Sequence, residues 1–235
     1  MPPENTAIRH STPDMDSRLS WRAWWGIELS EVSTTEKLVS ILGGFFSIWL
    51  LLTLAGGFRE QASAVIASMG ASAVLLFAVP HGQLSQPWPV LAGHGLCALI
   101  GVCCARWIPS PELAGATAVA LSIGAMHQFK CIHPPGGATA LTAVLGGHAV
   151  HALGYKFIAL PVLANAGLMV ASAAAFNAFF AWRRYPAALN RPPRSLTEPS
   201  APTHEEVVSA VRSLDSFVDI SEDDLIRLVQ ILGKR

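Results

Sequence analysis

His133-Pro134-Pro135-Gly136-Gly137-Ala138-Thr139-Ala140-Leu141 interrupts a long apolar chain at its most polar point, with Lys130 and Cys131 just upstream. Neither proline can continue a preceding helix, because each lacks an N–H and its ring clashes with the turn behind. They also push Ile132 and His133 toward extended backbone. At the first turn of a new helix a proline costs nothing. The spacing therefore predicts a helix ending near Phe129, an extended corner, and a new helix starting at Pro135 or Gly136. The N–H groups and positive dipole end of that helix suit an anion.

Outside this corner the chain is built for lipid. It has 235 residues, 51% hydrophobic and 14% charged, against about 25% charged in a soluble domain. Across residues 38–182 the only charges are Arg59, Glu60, Arg106, Glu112, Lys130 and Lys156, and they fall between apolar runs. This distribution predicts an integral membrane protein. Residues 1–36 are polar and lack the apolar core of a signal peptide. Trp21-Arg22-Ala23-Trp24-Trp25 within them suits the headgroup layer. Cys97, Cys103, Cys104 and Cys131 lie in or beside apolar runs and read as small buried hydrophobes.

Ser33-Thr34-Thr35-Glu36 has the form of a helix start. Six apolar segments follow, at 38–58, 62–80, 90–107, 113–129, 137–153 and 157–182. A span needs about 20 apolar residues, so the second, fourth and fifth are short, and Gly146-Gly147 breaks the fifth. The expected fold is all-α, a polytopic transmembrane helical bundle of four to six spans. Pro89-Val90-Leu91-Ala92 recurs as Pro161-Val162-Leu163-Ala164, and Gly70-Ala71-Ser72-Ala73-Val74 as Gly137-Ala138-Thr139-Ala140-Leu141. The matches predict a three-plus-three duplication. An odd-numbered unit copied in this way enters the membrane upside down, giving inverted repeats with short or broken helices, which is a transporter architecture.

Loop charges set the expected orientation. With the N-terminus inside, the inner loops carry Arg9, Arg18, Arg22, Lys37, Lys130, Arg183, Arg184, Arg191 and Arg194. The outer loops carry Arg59, Arg106 and Lys156. That imbalance favours cytoplasmic N- and C-termini, in what we expect to be a bacterial plasma membrane. The domains follow: a disordered or interfacial segment at 1–36, a transmembrane domain at 37–182, and a Pro-rich linker at 183–202 opening on the basic stop Arg183-Arg184. The tail at 203–235 has a capping box at Thr203-His204-Glu205-Glu206 and apolar residues at helical spacing, which predicts a small amphipathic helical hairpin.

The corner resembles the signature of the HPP family of integral membrane proteins. The block from Ser68 to Pro80, then Ser85-Gln86-Pro87-Trp88-Pro89-Val90, Gly93-His94 and Gly101-Val102, resembles that family's other characteristic stretch. The likeness covers roughly 36–182. It implies a transporter, since plastid and cyanobacterial members are associated with nitrite. It also implies four spanning helices, fewer than the six segments counted above. Many bacterial members carry nucleotide-sensing domains after the membrane region, for which the tail here is too short.

A carrier for a small anion needs donors without a full set of fixed charges. Gly136, Gly137 and Gly70 offer N–H groups without a Cβ, next to Pro134 and Pro135. Ser72 and Thr139, at equivalent repeat positions, offer hydroxyls. His133 offers a switchable charge. His94 and Asn165 are polar groups in apolar segments, and Lys130 would draw anions toward the corner. The same glycines could instead serve only a tight helix crossing. Two alternatives stand beside transport of an anion. Met126, His127, Cys131 and His133 are soft-metal ligand types within eight residues, although their spacing matches no zinc pattern. A scaffold or sensor whose tail recruits a partner is the other. No nucleophile with a base, phosphate loop or paired intramembrane carboxylate is present, which argues against an enzyme. The expected partners are the bilayer and a small anion, with no cofactor and no nucleic acid. Gly-rich spans and a helical tail are compatible with a homo-oligomer. The orientation is checked by reporter fusions: alkaline phosphatase should be active when inserted at Ser110 and inactive when fused after Arg184, and the opposite pattern would invert the topology.

Overall fold

A computed structural model describes residues 32–54 and 59–190, with the side chains of 59–66 and 190 left aside. The expected N-terminal headgroup cluster, the linker beyond residue 190 and the C-terminal hairpin lie outside the described residues. Among those residues every regular element is helical: α1 Thr34–Leu54, α2 Arg59–Ala78, α3 Pro87–Trp107, α4 Pro111–Gln128, α5 Pro135–Leu145, α6 Gly147–Leu153, a π-type segment Ile158–Leu163, and α7 Ala164–Asn177. The fold is a helical membrane bundle. Among the described residues three helical stretches are long and apolar enough to cross a membrane: Thr34–Leu54, Pro87–Trp107 and Ile158–Asn177.

Sequence rules explain most boundaries. Ser33 Oγ accepts from the Glu36 N–H at 3.1 Å and caps α1. Ser110 Oγ caps α4 by accepting from the Leu113 N–H, and Pro111 follows as the first helical residue. The fifth segment splits where the Gly pair predicted: α5 ends at Leu145, and Gly147 begins α6 at φ +74°. With 11 residues, α5 is about 16 Å long, roughly half of a hydrocarbon core. The sixth segment breaks at Leu160, whose φ of −132° is not helical, and the helix resumes at Pro161.

The bundle is inverted relative to a soluble core. α1 turns Val39, Gly43, Ser47 and Leu51 inward at four-residue spacing and leaves Ile41, Phe45, Phe46 and Trp49 exposed. Large apolar side chains face outward where lipid would lie, and small ones pack helix on helix. The packing partners respect the duplication. If α1, α2 and α3 correspond to α4, α5 and the π-segment with α7, then α1 on α2 matches α4 on α5. α1 on α7 matches α4 on α3, and α2 on α7 matches α5 on α3. α2 also meets α5, and α3 meets the π-segment and α7. Each half therefore lends its third helix to the other.

The chain does not leave the bundle at Trp182. Arg183, read from sequence as part of a basic stop, is 1% exposed. It forms an ion pair with Glu36 at the start of α1. Its Nε donates to Asn177 Oδ1 at 3.0 Å, its Nη1 to Ser40 Oγ at 3.1 Å, and its Nη2 to the Phe77 carbonyl. Trp182 Nε1 donates to the other Glu36 oxygen at 3.0 Å. Burial lowers the Arg183 pKa to about 10, which still leaves it charged at neutral pH. Glu36 is thus a buried counter-ion, not only a first-turn acid. Beyond it, Tyr185 OH donates to the Ser85 carbonyl at 2.8 Å and the Ala187 N–H to Gln86 Oε1 at 3.0 Å. Residues 183–190, expected as the start of a linker, are a strap over the α2–α3 turn. Arg183→Ala should cost about 3–5 kcal/mol by stranding Glu36, read as a fall in the thermal unfolding midpoint in detergent. Combining Arg183→Met with Glu36→Leu should recover most of it, and a double variant as unstable as the single one would show that the pair is not the cause.

Candidate functional site

The Pro-Pro corner is made by two local devices. α4 ends at Phe129, and Lys130 takes the left-handed conformation at φ +53°. The Lys130 N–H returns to the His127 carbonyl and the Cys131 N–H to the Met126 carbonyl at 2.9 Å, a Schellman stop usually built on glycine. Lys130 is exposed and shapes the corner through its backbone. Pro134 then precedes α5, which starts at Pro135 as expected. The Gly136 N–H closes on the His133 carbonyl at 2.8 Å and the Gly137 N–H on the Pro134 carbonyl at 3.0 Å. The two donors expected to face a ligand are used within the turn.

The corner turns His133 inward, and four sequence-predicted residues meet there. Ser72 of α2, His94 of α3, His133 and Thr139 of α5 are fully buried. Ser72 Oγ lies 2.9 Å from His94 Nε2 and 2.9 Å from His133 Nε2. His94 Nδ1 lies 2.8 Å from Thr139 Oγ1. His133 Nδ1 lies 2.8 Å from the Leu84 carbonyl, and the His133 N–H points at Met126 Sδ. The two imidazole rings meet edge to face at 4.9 Å. His94 therefore sits between the repeat-equivalent hydroxyls Ser72 and Thr139.

Proton counting fixes the direction of these bonds. A carbonyl only accepts, so His133 Nδ1 carries its proton toward Leu84. In a neutral His133, Nε2 is then bare and must accept, and Ser72 is its donor. Ser72 has one proton, so His94 Nε2 must donate to Ser72. His94 Nδ1 is then bare and accepts from Thr139. With both rings neutral, this one-way chain from Thr139 to Leu84 is the arrangement in which every ring nitrogen is satisfied.

α3 reaches this position because glycine lets it approach α5. A Cβ on Gly93 would lie 2.8 Å from His133 Cβ, and one on Gly101 would lie 2.6 Å from the Ala140 carbonyl oxygen. A Cβ on Gly136 would lie 2.8 Å from Cys97 Sγ and 3.1 Å from the Gly93 carbonyl oxygen. Gly137 and Gly70 have nothing within 4 Å of such an atom. Asn165 stays outside the chain, with Nδ2 buried and no hydrogen-bond partner. Leu84, which enters through its carbonyl, and Ser68, whose carbonyl lies 3.1 Å from Ser72 Oγ, were invisible to side-chain reasoning; the signal available was the polar Ser85-Gln86 turn beside Leu84. For soft metals, His127 is exposed while His133 faces inward. Among the described residues no three His, Cys, Asp or Glu side chains converge on a metal position.

A family model described as HPP, transmembrane region, matches residues 29–186. The chain belongs to the HPP family. It is 40% identical over 130 residues to a transmembrane protein of Dictyostelium discoideum, a match covering 54% of this chain and 45% of the relative. A second Dictyostelium discoideum transmembrane protein is 34% identical over 174 residues, 71% of this chain and 56% of that protein. The chain thus aligns with about half the length of each of these relatives. No solved structure matches it.

The glycine geometry separates two neighbours in the HPP corner. Gly136→Ala forces a Cβ against Cys97 and Gly93 and should cost about 1–3 kcal/mol. Gly137→Ala meets open space and should be neutral or slightly stabilising. Thermal unfolding in detergent checks both, and equal losses would contradict the crossing described here.

Proposed function

We propose that this HPP protein transports a small inorganic anion, with nitrite the leading candidate. The observation that carries the reading is the Ser72–His94–His133–Thr139 cluster. Four polar side chains are buried together where the second helices of both repeats meet the third helix of one. Polar groups at such depth are expensive and tend to mark pathways. Short helices meeting at a repeat interface are a common setting for substrate sites. The family likeness supplies the candidate anion. In this reading the anion binds against the cluster by taking over hydroxyl or imidazole N–H donors that the closed chain spends on itself, and the dipole of α5 adds a favourable field. Gly136 and Gly93 act by letting the helices close around it, and Lys130 adds positive charge outside the corner. The reading is of a carrier or channel, not an enzyme.

Purified protein in liposomes should pass nitrite above the rate of protein-free vesicles, in a panel with nitrate, formate and copper ions. Protein-free vesicles are essential because nitrous acid crosses bare bilayers. His94→Phe should remove most of the protein-dependent flux. Absence of protein-dependent flux for every anion would end the transporter reading. Copper retention lost in Cys131→Ser with His133→Ala would favour the metal alternative.

A further inference from the structure

We propose that the Ser72 hydroxyl is a two-position switch that lets His133 bind and release one proton inside the bundle, so that each anion crosses with a proton. Coupling to an anion rests on the transporter reading; the switch itself rests on geometry alone. In the neutral chain Ser72 donates to His133 Nε2. When His133 gains a proton at Nε2, that N–H needs an acceptor, and Ser72 must stop donating to it. A second acceptor is already in place: Ser72 Oγ lies 3.1 Å from the Ser68 carbonyl, one helical turn back. The hydroxyl proton turns to Ser68, and Ser72 Oγ then accepts from both His133 Nε2–H and His94 Nε2–H with its two lone pairs. His133 Nδ1–H stays on Leu84 and Thr139 stays on His94. Both protonation states are fully hydrogen-bonded, and they differ by one hydroxyl rotation. Such rotations are fast, on the picosecond to nanosecond scale for unhindered side chains.

The step balances simply. A hydronium ion, or nitrous acid itself, gives up one O–H proton, and an N–H bond forms at His133 Nε2. Water or nitrite is left, and the nitrite then lies beside an imidazolium, a neutral pair in a medium that penalises unpaired charge. Release reverses both changes. No oxidant or reductant is needed.

Few other groups compete for that proton. From α3 the neighbour is His94, with Cys97 against Gly136; Cys131 stands two residues away in the corner, and α4 presents the uncharged Met126 sulfur. α2 contributes Ser72, and the α2–α3 turn contributes the Leu84 carbonyl. The Glu36–Arg183 pair reaches α2 at Phe77, more than a turn beyond Ser72, and is internally neutralised. Lys130 is exposed outside the corner.

The test reads tautomers and flux separately. Nitrogen-15 NMR on histidine-labelled protein in lipid, with signals assigned by His94→Gln and His133→Gln, should show His133 as the Nδ1–H form and His94 as the Nε2–H form at neutral pH. Acidification should convert His133 to imidazolium. Ser72→Ala removes the acceptor of His94 Nε2–H, so His94 should change to the Nδ1–H form and donate to Thr139. Ser72→Thr, the residue found at the equivalent position of the other repeat, should restore the wild-type pattern. In vesicles with a pH-sensitive dye, nitrite entry should carry protons inward. Ser72→Ala should slow that proton movement about a hundredfold, the scale of a lost proton-transfer partner, and Ser72→Thr should recover it. Identical tautomers at both rings, or a His94 signal unmoved by Ser72→Ala, would overturn the switch. Protein-dependent nitrite flux without protons would overturn the coupling. The stated tautomers with no nitrite flux would leave the switch standing and remove the transporter reading.

Discussion

The structure depends on how closely α3 approaches α5. Hydrocarbon supplies no hydrophobic force between helices, so they associate by van der Waals contact and hydrogen bonds. Here the contact is nearly backbone on backbone. At Gly101 a single added carbon would fall 2.6 Å from the Ala140 carbonyl oxygen, and at Gly93 it would meet the His133 side chain. Because α3 can come so near, His94, the residue after Gly93, reaches Thr139 on α5 and Ser72 on α2 at once. With a wider crossing the imidazole would lose one hydroxyl, and a buried ring nitrogen left unpaired costs about 1–3 kcal/mol.

Two polar networks are built on this frame, and they solve different problems. The Arg183 network is charged and lies where α1 begins and α2 and α7 end. Its guanidinium is held by a carboxylate, an amide, a hydroxyl and a carbonyl, so no arrangement other than the paired one is cheap. That makes it a fastener. The Ser72–His94–His133–Thr139 network is uncharged, and each of its two hydroxyls has a ring nitrogen and a backbone carbonyl one turn back within reach. Rigidity in the first network ties the start of α1 to the ends of α2 and α7, and freedom in the second is confined to hydroxyl protons.

Much of this was legible from local rules. The helix stop at Phe129, the start at Pro135, the helix start at Ser33 and the break at Gly146-Gly147 follow from backbone constraints that act within a few residues. The likeness between Gly70-Ala71-Ser72 and Gly137-Ala138-Thr139 pointed to paired hydroxyls, and both residues reached the cluster. What stayed hidden was long-range. Arg183 follows an apolar run and looks like a stop; only its pairing with a residue 147 positions away makes it interior. Lys130 looked like an electrostatic lure and also serves as a left-handed helix stop. Gly136 and Gly137 looked alike as N–H donors, yet one is pressed against α3 and the other faces open space. Leu84 and Ser68 act through carbonyls, which every residue has, so no side-chain pattern can announce them.

The direction of the hydrogen-bond chain is decided at one end. Each of its four donors is used once, and each of its four acceptors is filled once, because the chain terminates on a group that cannot donate. If Leu84 presented an N–H instead, His133 would reverse its tautomer, Ser72 would accept from it and donate to His94 Nε2, and His94 Nδ1 would donate to Thr139, so the whole chain would run the other way. The carbonyl is held in place by its own turn: Ser85 Oγ donates to the Leu75 carbonyl at 2.9 Å, and Gln86 Nε2 to the Pro80 and Gly82 carbonyls. Tyr185, from the strap beyond α7, donates to the Ser85 carbonyl. A segment that composition marks as the exit from the membrane thus helps set the polarity of a hydrogen-bond chain at the centre of the bundle. It does so by fixing an acceptor, not by contributing a charge.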